Sequence, residues 1–383
     1  MHKGKATRAI HGRRDTEKLG ANYPIYTSTT FAVPNSDTYE QDWDTFDFYT
    51  RISNPTIRNV EEKLAALEEG EDAALFASGM AAIMTTFLTF VSSGEAIASS
   101  RHVYGGTYHL LRDIVPRFGI DVHFLDDDEL YDLPQYAPQA KLVHFETPVN
   151  PTSRCVSIAS VVESARQIGA LTTIDSTFAS PINQNPLRFG VDVVLHSATK
   201  YLGGHSDIMA GAAMGSAAHL RQIRDGRKLL GGNSNPYEAA LLDRSLRTLQ
   251  VRVEGHNRTA QALAEFFETE PRVGAVHYPG LPSSPAHAIA SSQMTGYGGM
   301  LAIELEDLQA AKTFCDSLDL ALNAVSLGGT DTLVSIPVLA THIKLSDEEL
   351  AAAHVTPGTV RISAGLEDVE DLIADFKQAL ARV

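Results

Sequence analysis

The stretch DVVLHSATKYLGGHS, Asp192 to Ser206, is the one around which the rest of the chain is read. It opens on Val193, Val194 and Leu195, a short apolar run of the kind that forms a buried strand. Two small hydroxylated residues follow, Ser197 and Thr199, and then Lys200. Gly203 and Gly204 mark a turn that lets the backbone bend closely. A lysine after a strand is usually a solvated surface residue. This one is flanked by Ala198, Tyr201 and Leu202, which predicts a partly enclosed amine. Enclosure disfavours the ammonium form, lowers the pKa, and suits a lysine to act as nucleophile or base.

Asp175 lies upstream, in ALTTIDSTFASP, at the end of another apolar strand, Leu171 to Ile174. An Asp and a Lys at the ends of neighbouring strands suit pyridoxal 5'-phosphate (PLP). The lysine forms a Schiff base with that cofactor, and the acid pairs with its protonated pyridine nitrogen. An Asp at a strand end is also a common turn residue, so spacing alone leaves both readings open.

Taken in order, the chain alternates strands and helices. Strands are expected near residues 73–76, 96–99, 122–125, 142–145, 171–174 and 193–195, with helices near 59–67, 79–90, 107–115 and 160–168. Such alternation predicts an α/β fold with a mostly parallel sheet covered by helices on both faces. Ligands in such sheets sit at the carboxyl ends of strands. Residues 1–48 read as an extended N-terminal arm that lacks helical periodicity. Alone, it cannot bury Tyr23, Ile25, Tyr26 and Phe31. Residues 49–245 are expected to form the main domain. A helical pattern from Pro236 to Phe267 leads into a smaller C-terminal α+β domain, residues 246–383.

Composition narrows the function. Of 383 residues, 44% are hydrophobic and 20% charged, which is ordinary for a soluble protein. The net charge of −16 disfavours nucleic-acid binding. The apolar runs are too short for a membrane span, and the polar, basic N-terminus has no secretory core. The 14 histidines show no metal spacing, so no metal is expected. The two cysteines, Cys155 and Cys315, form no disulfide framework; inert buried thiols in a cytoplasmic protein are the expectation.

Five further motifs extend the pattern: YTRISNPT at Tyr49–Thr56, SGMAA at Ser78–Ala82, YGGT at Tyr104–Thr107, ETPVNP at Glu146–Pro151 and RISAGLED at Arg361–Asp368. With the lysine stretch they resemble the Cys/Met-metabolism PLP-dependent enzymes: cystathionine γ-synthase, cystathionine γ-lyase, methionine γ-lyase and O-acylhomoserine sulfhydrylase. The resemblance runs through nearly the whole chain. It implies the PLP-dependent transferase-like fold of aspartate aminotransferase (fold type I) and a homotetramer with shared sites. Lys200, Asp175 and Tyr104 become the catalytic set, with Tyr104 stacked on the cofactor ring. Ser78, Gly79, Met80, Ser197 and Thr199 would hold the phosphate, since a helix N-terminus offers amides and a positive dipole. Tyr49 and Arg51 would reach the phosphate in a neighbouring subunit, Arg51 through its forked donors. Asn150 would donate to the ring oxygen. Arg361 would bind the substrate carboxylate, with Ser326, Asn150 and Tyr49 also facing substrate. Glu146 reads as a supporting residue.

The implied chemistry is γ-elimination on sulfur amino acids, giving a 2-keto acid, ammonia and a thiol. The alternative is γ-replacement, as in cystathionine γ-synthase or O-acylhomoserine sulfhydrylase. A non-catalytic PLP-binding homologue is disfavoured, because Lys200, Asp175, Tyr104 and Arg361 are all present. The chain departs from the cystathionine γ-lyase pattern at Phe48 and Val325, where those enzymes carry Glu, and at His109, where they often carry Arg. It departs from methionine γ-lyases at Gly106, where those usually carry Cys. Phe48 and Val325 cannot pair with a distal ammonium, so a less polar distal pocket and small or uncharged γ-substituents are expected.

Overall fold

The computed structural model describes residues 4–12, 21–40, 46–340, 343 and 346–383. Its first sheet is built from short strands, nearly all buried except the edge strand β3: β1 Asp72–Phe76, β2 Ala96–Ser100, β3 Asp121–Leu125, β4 Ala140–Glu146, β5 Leu171–Asp175, β6 Val193–His196 and β7 Gly211–Gly215. They lie in the order β1-β7-β6-β5-β4-β2-β3. All neighbours pair in parallel except β7, which is antiparallel to both β1 and β6. Strand side chains alternate between faces, and here both faces are covered. Ala73, Leu75, Val194 and Met214 enter one apolar core; Ala74, Phe76, Val193, Leu195 and Ala213 enter another on the opposite face. The expected mostly parallel α/β sheet is therefore present.

The sequence pattern misses β7. Its GAAMG stretch lacks the β-branched and aromatic residues that favour strands. Backbone crowding requires glycine at the strand's two ends: a Cβ at Gly211 would sit 2.0 Å from the Ser78 carbonyl oxygen, and one at Gly215 2.5 Å from the Asp192 carbonyl oxygen.

A second sheet holds β8 Ala275–His277, β9 Met300–Glu304, β10 Leu322–Asn323, β11 Leu333–Ser335 and β12 Thr359–Ser363, in the order β10-β11-β12-β9-β8. The helical pattern expected from Pro236 to Phe267 resolves into two helices, Pro236–Leu246 and Leu249–Glu268. Thr248 breaks it, with non-helical ψ and a hydroxyl that donates to the Ser245 carbonyl at 3.1 Å. Leu249 and Val253 of the second helix are buried in the first core, while Leu263 and Phe267 are buried with the second sheet.

The arm departs from the extended expectation. Lys5–His11 forms a helix whose Ala9 is buried in the main core, and Lys5 Nζ donates to the carbonyls of Pro181 and Ile182 at 2.6 Å. A helix of that length is too short to announce itself by periodicity. Farther along, Ile25 is exposed and Tyr23, Tyr26 and Phe31 are half-buried, as expected of an arm without a core of its own.

Candidate active site

The register places β4, β5 and β6 side by side with their carboxyl ends together. Glu146, the last residue of β4, pairs with Asp175, the last of β5, and Asp175 pairs with Leu195 of β6. The chain then turns through Ser197 to Lys200, whose amide is anchored on the Ser197 carbonyl at 3.1 Å. Lys200 Nζ donates to Ser326 Oγ at 2.8 Å. Burial, helped by the positive charge of Arg361, lowers the Lys200 amine to about 8. The enclosed lysine expected from its neighbours is thus present.

Asp175 is buried, and one oxygen, Oδ1, accepts from both the Thr177 amide at 3.0 Å and the Thr177 hydroxyl at 2.5 Å. Burial raises its pKa against the pull of these bonds and of His196. A cationic partner at this carboxylate, such as a protonated pyridine nitrogen, would favour the ionised form. Thr177 also accepts the Ser197 N–H on its hydroxyl at 2.8 Å, so one side chain joins the carboxylate to the lysine loop. Sequence reasoning missed Thr177. A hydroxyl two residues after an Asp is the pattern of a local Asp turn and could have revealed it.

Ser78 caps the helix Gly79–Phe90, its hydroxyl accepting from the Ala81 amide at 3.1 Å. Gly79 and Met80 thus begin a helix whose first amides have no intrahelical partner. Gly79 lies against Ser197: a Cβ there would come within 3.0 Å of Ser197 Cβ. The helix N-terminus and Ser197 therefore form one cradle suited to an anion. Thr199 flanks it, but its hydroxyl is engaged with the Ala210 backbone, at 3.2 Å to the oxygen and 2.9 Å from the amide.

Tyr104 and Asn150 both bond Glu146 through their amides, and Asn150 also bonds Arg361. Tyr104 is 43% exposed and begins the helix Gly105–His109, which continues as a π turn over Leu110–Ile114. Its ring lies over Gly106, where a Cβ would meet Tyr104 Cε1 at 2.5 Å. Arg361, on β12, is buried. Nη1 donates to Asn150 Oδ1 at 3.3 Å and Nη2 to the Ser326 carbonyl at 2.9 Å. Its Nε is buried without a partner, and burial lowers the guanidinium to about 10. Ser326 takes φ +89, an uncommon conformation for a non-glycine residue, and so turns its hydroxyl to Lys200 and its carbonyl to Arg361.

Tyr49 and Arg51 sit elsewhere on the chain. Arg51 lies over the Tyr49 ring and donates to the Lys228 carbonyl at 2.7 Å, and both residues are exposed. Of the three residues expected near a distal pocket, Val325 is 62% exposed beside Ser326. His109 contacts Arg112 at 3.0 Å and Asp113 at 3.5 Å. Phe48 is buried against Tyr39 and Phe46, so within this chain it lines an aromatic cluster and not the lysine site.

The residues fit PLP: an enclosed amine, a carboxylate for the ring nitrogen, a phenol, an anion cradle, and an orphaned guanidinium N–H for a carboxylate. Among the described residues no cluster suits a metal ion, and no helix is long and apolar enough to cross a membrane. Comparison with known proteins points the same way. The chain is 40% identical over 392 residues to an L-methionine γ-lyase of Porphyromonas gingivalis, covering 99% of this chain and 98% of that one. It is 38% identical over 383 residues to a cystathionine β-lyase of Lactococcus lactis subsp. cremoris, covering 98% of each. The crystal structure of a cystathionine γ-synthase from Xanthomonas oryzae pv. oryzae, in complex with aminoacrylate and cysteine, superposes with a TM-score of 0.94 at 35% identity, covering 99% of this chain and 98% of that one. The family of Cys/Met metabolism PLP-dependent enzymes matches residues 6–381, and the chain belongs to it.

Proposed function

We propose that this enzyme removes the γ-substituent from a sulfur amino acid, releasing a thiol, a 2-keto acid and ammonia. PLP, when bound, supplies the electron sink for that chemistry. The observation that carries the reading is the meeting of two groups at Ser326. Arg361 bonds its carbonyl and Lys200 its hydroxyl. A carboxylate held by Arg361 therefore puts the substrate α-carbon beside the lysine amine. With its pKa near 8, Lys200 is available as a base at neutral pH, taking the proton at Cα and carrying one at Cβ. Asp175 would hold the ring nitrogen protonated, and Tyr104 would cover the ring and offer a phenol for proton transfer.

The substrate is proposed to be methionine, homocysteine or another amino acid with a small or uncharged γ-substituent. Apolar Val325 beside Ser326 and the similarity to a methionine γ-lyase support this; Phe48, buried in its own chain, does not. The likeness to a cystathionine γ-synthase supports a second reading, γ-replacement on an acylated homoserine. One assay separates them: 2-keto acid and ammonia from methionine or cystathionine, against thioether from acyl-homoserine plus thiol. Cystathionine preferred by more than about a hundredfold, roughly 2.7 kcal/mol of discrimination, would overturn the small-substituent assignment.

The functional unit is proposed to be at least a dimer, and a tetramer by family resemblance. Exposed Tyr49 and Arg51 would complete a neighbour's phosphate site. If inactive Arg51→Ala and Lys200→Ala chains exchange subunits and recover no activity when mixed, the sites are not shared. The arm at 1–48, main domain at 49–245 and C-terminal domain at 246–383 are proposed as the units of this assembly. A cytoplasmic location is part of the same reading, supported by Cys155 and Cys315, both unpaired and buried.

A further inference from the structure

Glu146 ends β4 beside Asp175, yet it makes no bond to Asp175, Lys200 or Arg361 among the described contacts. Its two oxygens point to two other loops. Oε2 accepts the Tyr104 amide at 2.7 Å, and Oε1 accepts the Asn150 amide at 3.3 Å. Tyr104 begins the helix after β2, and Asn150 lies in the turn after β4. Asn150 in turn accepts from Arg361, Arg361 donates to the Ser326 carbonyl, and Ser326 accepts from Lys200. A continuous chain of bonds thus runs from Tyr104 through Glu146 to the lysine. Burying a second carboxylate next to Asp175 is costly, so an apolar residue or a glutamine would be the cheaper way merely to fill the space. A carboxyl group of this length places one accepting oxygen at each amide, and burial beside Asp175 raises its pKa.

We propose that Glu146 is a positioning residue for the reaction. By holding the backbones of Tyr104 and Asn150 together, it sets the phenol over the ring and the amide beside the ring oxygen, in the register that Asp175 fixes at the ring nitrogen. It acts through those residues and not on the substrate. The inference rests on the PLP site and is indifferent to the choice between elimination and replacement.

The test uses Glu146→Gln and Glu146→Asp in the PLP-loaded enzyme. The glutamine amide fills the same volume but turns an NH2 toward one of the two amides; aspartate keeps the carboxyl group and is too short to reach both. Three quantities are measured: the visible circular dichroism of bound PLP, which reports ring orientation without any substrate, thermal stability, and kcat and KM separately. Both variants are expected to retain PLP on Lys200 and lose at least half of the visible dichroic signal. Their kcat should fall on the order of 10²-fold, as for displacement by about 1 Å, with a smaller change in KM. Wild-type dichroism with kcat within threefold in Glu146→Gln would overturn the proposal, as would a loss confined to thermal stability. If the enzyme turns over none of the proposed sulfur amino acids, the dichroic signal still decides the role of Glu146.

Discussion

The lowered pKa of Lys200 makes a prediction that needs no substrate. An ordinary lysine amine titrates at 10.5, whereas burial and the charge of Arg361 bring this one to about 8. At pH 7 the neutral fraction is then about 9%, against about 0.03% for an exposed lysine, a gain of roughly 300-fold in reactive amine. Apoenzyme mixed with PLP in a stopped-flow instrument should show a visible band whose rate of appearance rises with pH and levels off above a midpoint near 8. Arg361→Gln removes one of the two causes of the shift, so its midpoint should move upward toward 10.5. The sign of the stability effect follows from the same values. The folded pKa is below the unfolded one, so the unfolded chain binds more protons between about 8 and 10.5. Through this group, the apoenzyme should gain stability as pH rises across that window. A capture rate still climbing steeply at pH 10, or a midpoint unmoved in Arg361→Gln, would refute the reasoning.

Two further substitutions probe the frame. Thr177→Val removes the hydroxyl that donates to Asp175 and accepts from Ser197; losing these bonds, at roughly 1–2 kcal/mol, should weaken PLP binding about tenfold in equilibrium dialysis. Gly106→Cys puts a Cβ where the Tyr104 ring lies, so the ring must move; kcat should fall about tenfold, and the visible dichroic signal of bound PLP should change with it.

Much of this site is legible in the sequence because its signals are local. Ser78 before an apolar run announces a capped helix, and Asp175 after one announces the end of a strand; both stand where expected. What remains hidden is non-local or lacks the usual residue types. The Lys200–Ser326 bond spans 126 positions and the Tyr104–Glu146 bond 42, and no periodicity encodes either. Strand β7 carries glycine at both ends because a Cβ would strike the Ser78 carbonyl at Gly211 and the Asp192 carbonyl at Gly215. The break at Thr248, where both the backbone N–H and the hydroxyl donate to the Ser245 carbonyl, falls inside an otherwise helical pattern. Phe48 shows a further limit. Its position beside Tyr49 suggests a pocket residue, but Tyr39 and Phe46 offer it an apolar contact closer in sequence, and there it is buried.

Every role proposed for this site depends on Lys200 holding the cofactor. Borohydride reduction of the PLP-loaded enzyme locks the cofactor onto the amine that carries it, and mass spectrometry of the digested protein locates it. The prediction is one cofactor per chain, on the peptide containing Lys200, with no label in Lys200→Ala and turnover there reduced by several orders of magnitude. Label on another lysine, or Lys200→Ala activity within about tenfold of wild type, would contradict it.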